Sequence, residues 1–318
     1  MAPFSIHPDT TVGPVALTVA DLARSEDFYT GVLGFRAIER GDRALTLAAG
    51  GAVPLLRLVE QPGARPKPQR ATGLYHFAIL VPSRLDLARA LRHLAEQRYP
   101  LTGASDHLVS EALYLDGPDG NGIEIYRDRP RDEWPHANGQ LQMAVDPLDV
   151  DGILGELARD DRPWDGLAPQ TRIGHIHLHV ADLRAAEAFY SGVLGFDVML
   201  RYGAGALFIS AGGYHHHIGL NTWAGWARRR RRQGRPACAT SSSGCPARPR
   251  STRSRGARAR PAWRLIRSRR AGWHAIRRGM ASCLRRAARA ANRVGGGNIF
   301  FFKRRCAVIY WRLISLTS

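Results

Sequence analysis

Apolar and polar residues alternate with period two through "GPVALTV" (13–19), "GLYHFAILV" (73–81) and "IGHIHLHV" (173–180), which predicts three strands. Each strand runs on to Asp21, Ser83 or Asp182, residues suited to cap a helix N-terminus. Helical spacing follows, clearest in the amphipathic "RLDLARALRHLAEQ". Short β-like runs come next: "RALTLAAG" and "PLLRLVE" after the first helix, and "DVMLRYG", "ALFIS" and "HHHIGLNTW" after the third. After the second comes "EALYLDGPDGNGIEIYRD", a hairpin whose turn carries Pro118, Asp119, Gly120, Asn121 and Gly122. The pattern is therefore β-α-β-β-β, repeated over residues 10–62, 71–130 and 170–225. A polar connector, 131–169, separates the second and third units and holds one helical patch, "DPLDVDGILGELA". The repeat is also visible residue by residue, since "VGPVALTVADLARSEDFYTGVLGF" (12–35) and "IGHIHLHVADLRAAEAFYSGVLGF" (173–196) share 14 of 24 positions without a gap.

Charge divides the chain at a different place. Residues 1–225 hold all 27 acidic side chains and 20 basic ones, a net of −7, whereas residues 226–318 hold 26 basic side chains and no acidic one. All four cysteines (Cys238, Cys245, Cys283, Cys306) fall in the second part, without the paired C-x₂-C spacing of a metal site. A stretch so rich in Arg, Ala, Gly, Ser and Pro resembles a GC-rich gene read out of frame. It predicts a largely disordered tail, with a helix at most in "SCLRRAARAANR". The other reading of the tail is nucleic-acid binding, with Arg neutralising phosphates. No segment reaches the ~18 apolar residues of a membrane helix and the N-terminus has no secretory pattern, so a cytoplasmic protein without a membrane partner is expected.

The repeated unit, its "VADL…FYTGVLGF" phrase and the "DGPDGNGIEIY" ending resemble the vicinal oxygen chelate superfamily of glyoxalases, bleomycin-resistance proteins and extradiol ring-cleaving dioxygenases. "SDHLVSEALYLDGPDGNGIEIYRDRPRDEW", followed by "IGHIHLHVADL", is most similar to the two-domain, catechol 2,3-dioxygenase-like branch. The resemblance implies an α+β fold of tandem βαβββ modules forming curled mixed sheets, with the first module paired to the second. A fourth module, due where the basic tail begins, would be the partner of the third. Its loss predicts an exposed apolar sheet face and a poorly stable or inactive protein.

In that superfamily the metal ligands stand on the first and last strands of a module, facing away from its helix. Alternation puts Ile176, Leu178 and Val180 on the helix side and His175, His177 and His179 on the other. The resemblance then marks His175 and His217 in the third module and His76 and Glu124 in the second as metal ligands; Pro14 and Leu55 leave the first module silent. A combined site using His76, Glu124, His175 and His217 requires module two to face module three. Two His and a carboxylate suit Fe(II), with Mn(II) or another divalent metal as the alternative. A small catechol-type aromatic diol and dioxygen are the implied substrates, in a monomer or a homo-oligomer. His179 and His177 are the candidate acid/base residues, ahead of His107 and His216, and Tyr126 and Ala78 line the pocket. The same fold also supports a glyoxalase-like isomerase or hydrolase, and a metal-free drug-sequestering protein.

Overall fold

The computed structural model describes residues 4–68, 70–160 and 162–224. The expectations for 226–318, including disorder and the helix in "SCLRRAARAANR", lie outside the described residues. Among the described residues no helix is long and apolar enough to cross a membrane.

The first module comprises β1 (Val15–Val19), α1 (Leu22–Glu26), which runs into a π-helical turn over Asp27–Val32, then β2 (Arg36–Arg40), β3 (Ala44–Ala48) and β4 (Leu56–Glu60). The second comprises β5 (Gly73–Leu80), α2 (Arg84–Glu96), β6 (Gly103–Asp106), β7 (Ser110–Asp116) and β8 (Gly122–Asp128). The connector adds the short pair β9 (His136–Ala137) and β10 (Gln140–Leu141) and the helix α3 (Val150–Gly155). The third comprises β11 (Arg172–His179), α4 (Leu183–Tyr190), β12 (Asp197–Tyr202), β13 (Ala206–Ser210) and β14 (Ile218–Asn221). Each main helix starts where a side-chain oxygen accepts an orphan backbone N–H: Asp21 from Arg24, Ser83 from Asp86 and Asp182 from Ala185.

Two sheets carry these modules. β1-β4-β3-β2 is a four-stranded sheet of its own, and β12-β13-β14-β11-β5-β8-β7-β6 is a continuous eight-stranded sheet. Its middle seam is the antiparallel pair β5–β11, which runs from Leu80↔Arg172 to Gly73↔His179. On either side of the seam the order mirrors itself, with β5–β8 and β11–β14 both parallel.

This differs from the pairing expected from the sequence. Strand pairing joins module two to module three, not module one to module two. The strands explain it: β5 and β11 each offer eight residues, whereas β1 offers five and follows Pro14, which has no N–H to give. Module one meets module two through side chains instead. Phe28, Tyr29, Leu33, Leu45 and Leu56 share one apolar core with Phe77, Leu87, Leu91 and the connector's Ile153 and Leu154. The third module therefore keeps a sheet partner, and the β11 side chains on the face expected to be exposed, His175, His177 and His179, are buried. What module three leaves open is its helix side. Leu207, Ile209, Ile218 and Leu220 form a smaller core under α4, but α4 has no fully buried residue, and Phe189 and Val193 are exposed.

Candidate metal centre

The alternation that fixes the strands also decides what faces inward from the seam. On β5, Phe77 and Ile79 enter the apolar core, leaving His76 and Ala78 on the opposite face. Ala78 lies between Glu124 of β8 and His175 of β11 as their common register partner. Its methyl group leaves room above the strand, and three longer side chains converge there. Glu124 Oε2 is 3.1 Å from His76 Nε2 and 3.1 Å from His175 Nε2. One donor atom from each residue lies within 4.8 Å of the others, and all three residues are buried.

The donor atoms fit a metal ion better than they fit one another. His76 Nε2, though close to Glu124, lacks hydrogen-bond geometry to it, and as a buried nitrogen it has no hydrogen-bond partner; His175 Nδ1 has none either. A buried polar atom in that state is costly unless something completes it. Burial pushes the His175 imidazole below its ordinary pKa, an effect only partly opposed by Glu124. For Glu124, burial pushes the carboxyl up, but His175 first, and His76 beside it, outweigh that effect and hold the carboxyl well below the usual range. A neutral imidazole and an ionised carboxylate are the forms that bind divalent metals.

Hydrogen-bonded neighbours brace the three. Tyr114 is the register partner of Glu124 on β7, and its hydroxyl meets His107 Nε2 at 2.6 Å, while His107 Nδ1 lies 2.7 Å from the Ala144 carbonyl. The carbonyl can only accept, so His107 carries a proton on Nδ1. Tyr126 sets its ring 4.8 Å from that of His175, and its hydroxyl contacts Tyr214, which donates to Asp128.

Of the other sequence candidates, His217 does not join the group. It sits just before β14, where its Nδ1 accepts from the Ala211 N–H at 3.2 Å and lies 3.0 Å from Ser210 Oγ; burial lowers its pKa to about 4. The imidazole nearest His175 from this run is His216, at 4.1 Å between ring centres, with His215 joining it to Asp128. His177 lies across the seam from His76, ring centres 5.0 Å apart. His179 ends β11, its Nδ1 2.6 Å from Asn221 Oδ1.

Sequence reasoning passed over Asn221. Its side chain is fully buried and touches both candidate acid/base residues: Nδ2 is 2.9 Å from His177 Nε2. The backbone N–H of Trp223 donates to Oδ1 at 3.1 Å. A backbone N–H can only donate, so the atom it meets is the oxygen and the orientation of the amide is fixed. His179 therefore carries a proton on Nδ1, and His177 accepts at Nε2. Around His177 stand Tyr75, Phe208 and Trp223, at 5.4, 5.7 and 5.5 Å between ring centres.

Residues 11–125 and 172–228 match the model of the Glyoxalase/Bleomycin resistance protein/Dioxygenase superfamily. The chain is 53% identical over 224 residues to a protein of Bacillus subtilis (strain 168) named catechol-2,3-dioxygenase; the match spans 70% of this chain and 78% of that one. Among solved structures, a putative dioxygenase from Bacillus subtilis subsp. subtilis str. 168 aligns with a TM-score of 0.46 and 17% identity. That alignment covers 67% of this chain and 64% of the other, less than two thirds of its length. A glyoxylase/bleomycin resistance protein/dioxygenase domain from Frankia sp. EAN1pec aligns over 38% of this chain and 98% of its own, with a TM-score of 0.34 and 25% identity.

Proposed function

The chain belongs to the Glyoxalase/Bleomycin resistance protein/Dioxygenase superfamily, and we propose that it is a metal-dependent extradiol dioxygenase acting on a catechol-type aromatic diol, with Fe(II) as its metal. One observation carries this reading: His76, Glu124 and His175 converge across the β5–β11 seam, with buried imidazole nitrogens left without hydrogen-bond partners. Two imidazoles and one carboxylate are the donor set that leaves open positions on Fe(II). When bound, such a metal supplies Lewis acidity and a common site at which a vicinal diol and dioxygen can meet.

The protein's own groups do the rest. The seam holds His76 and His175 on neighbouring hydrogen-bonded strands, which keeps their spacing rigid. Glu124 contributes the single negative charge, and the buried surroundings exclude water that would weaken its pull. Tyr75, Phe208 and Trp223 form an aromatic wall beside His177, suited to the ring of an aromatic diol. Of the two acid/base candidates, we assign proton transfer to His179 over His177. Asn221 Oδ1 orients the Nδ1 proton of His179, whereas the Asn221 Nδ2–H occupies the Nε2 lone pair of His177.

The expectation of an inactive protein rested on a third module without its partner. Because modules two and three complete the three-residue group together, we propose that the centre works without a fourth module. The test is turnover of the full chain reconstituted with Fe(II) without oxygen, then given catechol and ¹⁸O₂. A ring-opened product carrying both atoms of one O₂ is expected, together with its loss in Glu124→Ala. Metal uptake without oxygen consumption would overturn the dioxygenase reading in favour of an isomerase or hydrolase.

A further inference from the structure

The eight-stranded sheet repeats itself about the seam, but its two halves are not chemically alike. His76 faces His177 across the seam, and Ala78 faces His175. The repeat thus exchanges His76 with His175 and Ala78 with His177. On the outer strands Glu124 pairs with Ala78, and Gly219 pairs with His177. The counterpart of the carboxylate is therefore a glycine, and the counterpart of the small alanine is an imidazole. These two changes fit together in space, because a Cβ on Gly219 would lie only 2.8 Å from His177 Cγ. The His177 ring occupies the volume that a side chain at 219 would need. It brings a third imidazole to 5.0 Å from that of His76 between ring centres, yet among the described residues the gathered donor atoms come from His76, Glu124 and His175.

We propose that Asn221 is a positioning residue that withholds His177 from the metal and so keeps the set at two imidazoles and one carboxylate. This rests on the metal-centre reading above. A neutral imidazole has one lone pair available to a metal, on whichever nitrogen lacks the proton. The Asn221 Nδ2–H occupies that lone pair on His177 Nε2 at 2.9 Å, which leaves the proton on Nδ1. The amide cannot turn over to release it, because Oδ1 is pinned by the Trp223 backbone N–H and by His179 Nδ1. For His177 to become a ligand, a fully buried amide N–H would have to lose its acceptor. Open positions for substrate are preserved by one hydrogen bond on β14.

The test uses Co(II) as the probe on the full chain. Asn221→Leu removes the donor, and His177 is expected to join the centre. The visible Co(II) absorption should change as a fourth protein donor enters, and Co(II) affinity should rise by about tenfold, the scale on which neighbours of metal ligands act. Asn221→Leu/His177→Ala should return the wild-type spectrum. A spectrum unchanged in Asn221→Leu, or a change that persists in the double variant, overturns the inference. Independently of any folding defect in the variants, ¹⁵N-detected histidine spectra of the wild-type chain should show His177 protonated on Nδ1 and accepting at Nε2. A proton found on Nε2 overturns it too. A wild-type chain that takes up no Co(II) overturns the metal reading itself.

Discussion

Replacing Glu111 with glutamine should destabilise the protein by about 3 kcal/mol, the low end of what breaking a buried ion pair from one side costs. Glu111 stands on β7 opposite Arg127 and is almost fully buried, at 1% exposure. Its carboxylate takes Arg84 Nε at 2.9 Å and Arg84 Nη2 at 3.1 Å, and Arg127 Nε at 2.7 Å, with Arg129 Nη2 at 3.6 Å. It thereby ties α2 to the hairpin that presents Glu124. The three guanidiniums keep 26, 13 and 21% of their side-chain exposure, so water can reach them once the charge is gone, and that favours the low end of the range. For a fold of this size, 3 kcal/mol corresponds to a drop of roughly 6–12 °C in Tm. Thermal unfolding followed by near-UV circular dichroism reads it. Glu187→Gln is the control: Glu187 also pairs with an arginine, Arg201, but the pair is 31% and 59% exposed, and such pairs are worth at most about 1 kcal/mol. If the two variants melt together, or if Glu111→Gln costs less than about 1 kcal/mol, the reasoning that burial sets the cost is refuted.

His93 donates from Nε2 to the Gly31 carbonyl at 3.1 Å and stacks on Trp164, and burial lowers its pKa. A depressed histidine contributes stability above its unfolded pKa of roughly 6.5 and loses it as pH falls toward the folded value. Urea unfolding at pH 7.5, 6 and 5 should therefore show a shallower acid loss in His93→Gln than in wild type; equal slopes would count against it. Gly219→Ala places a methyl group 2.8 Å from the His177 ring and should cost about 1–3 kcal/mol through overpacking, readable as a lower Tm. An unchanged Tm would mean that His177 is free to move aside.

The fold of each module was legible because period-two strands, an N-cap and a helical run recur in order, and Asp21, Ser83 and Asp182 do cap their helices. Which modules share a sheet was not legible. It depends on edge-to-edge contact between β5 and β11, residues about a hundred positions apart, and on the shortness of β1. Of the proposed ligands, His76, Glu124 and His175 stand out because each alternates with core residues of its own strand, at the strand positions that the resemblance marks. His217 lies one residue before β14 begins, so the alternation of Ile218 and Leu220 does not extend to it. The register sets Gly219 beside His177 as Glu124 is set beside Ala78, so the carboxylate's counterpart lies two residues further on. The loop before it, turned by Gly212 (φ +58°) and Gly213 (φ +68°), brings His216 to His175 instead. Tyr114 could have been found by folding the hairpin about its "GPDGNG" turn, which sets it opposite Glu124. Asn221 gave no such signal, since its role depends on contacts between strands more than forty residues apart.

The most direct test of the central claim is the metal content of the full chain and of His76→Ala, Glu124→Ala, His175→Ala and His217→Ala after identical reconstitution with Fe(II) and desalting. The account predicts one metal per wild-type chain, loss in the first three variants, and retention in His217→Ala. Metal kept by the first three, or lost with His217 alone, would contradict it.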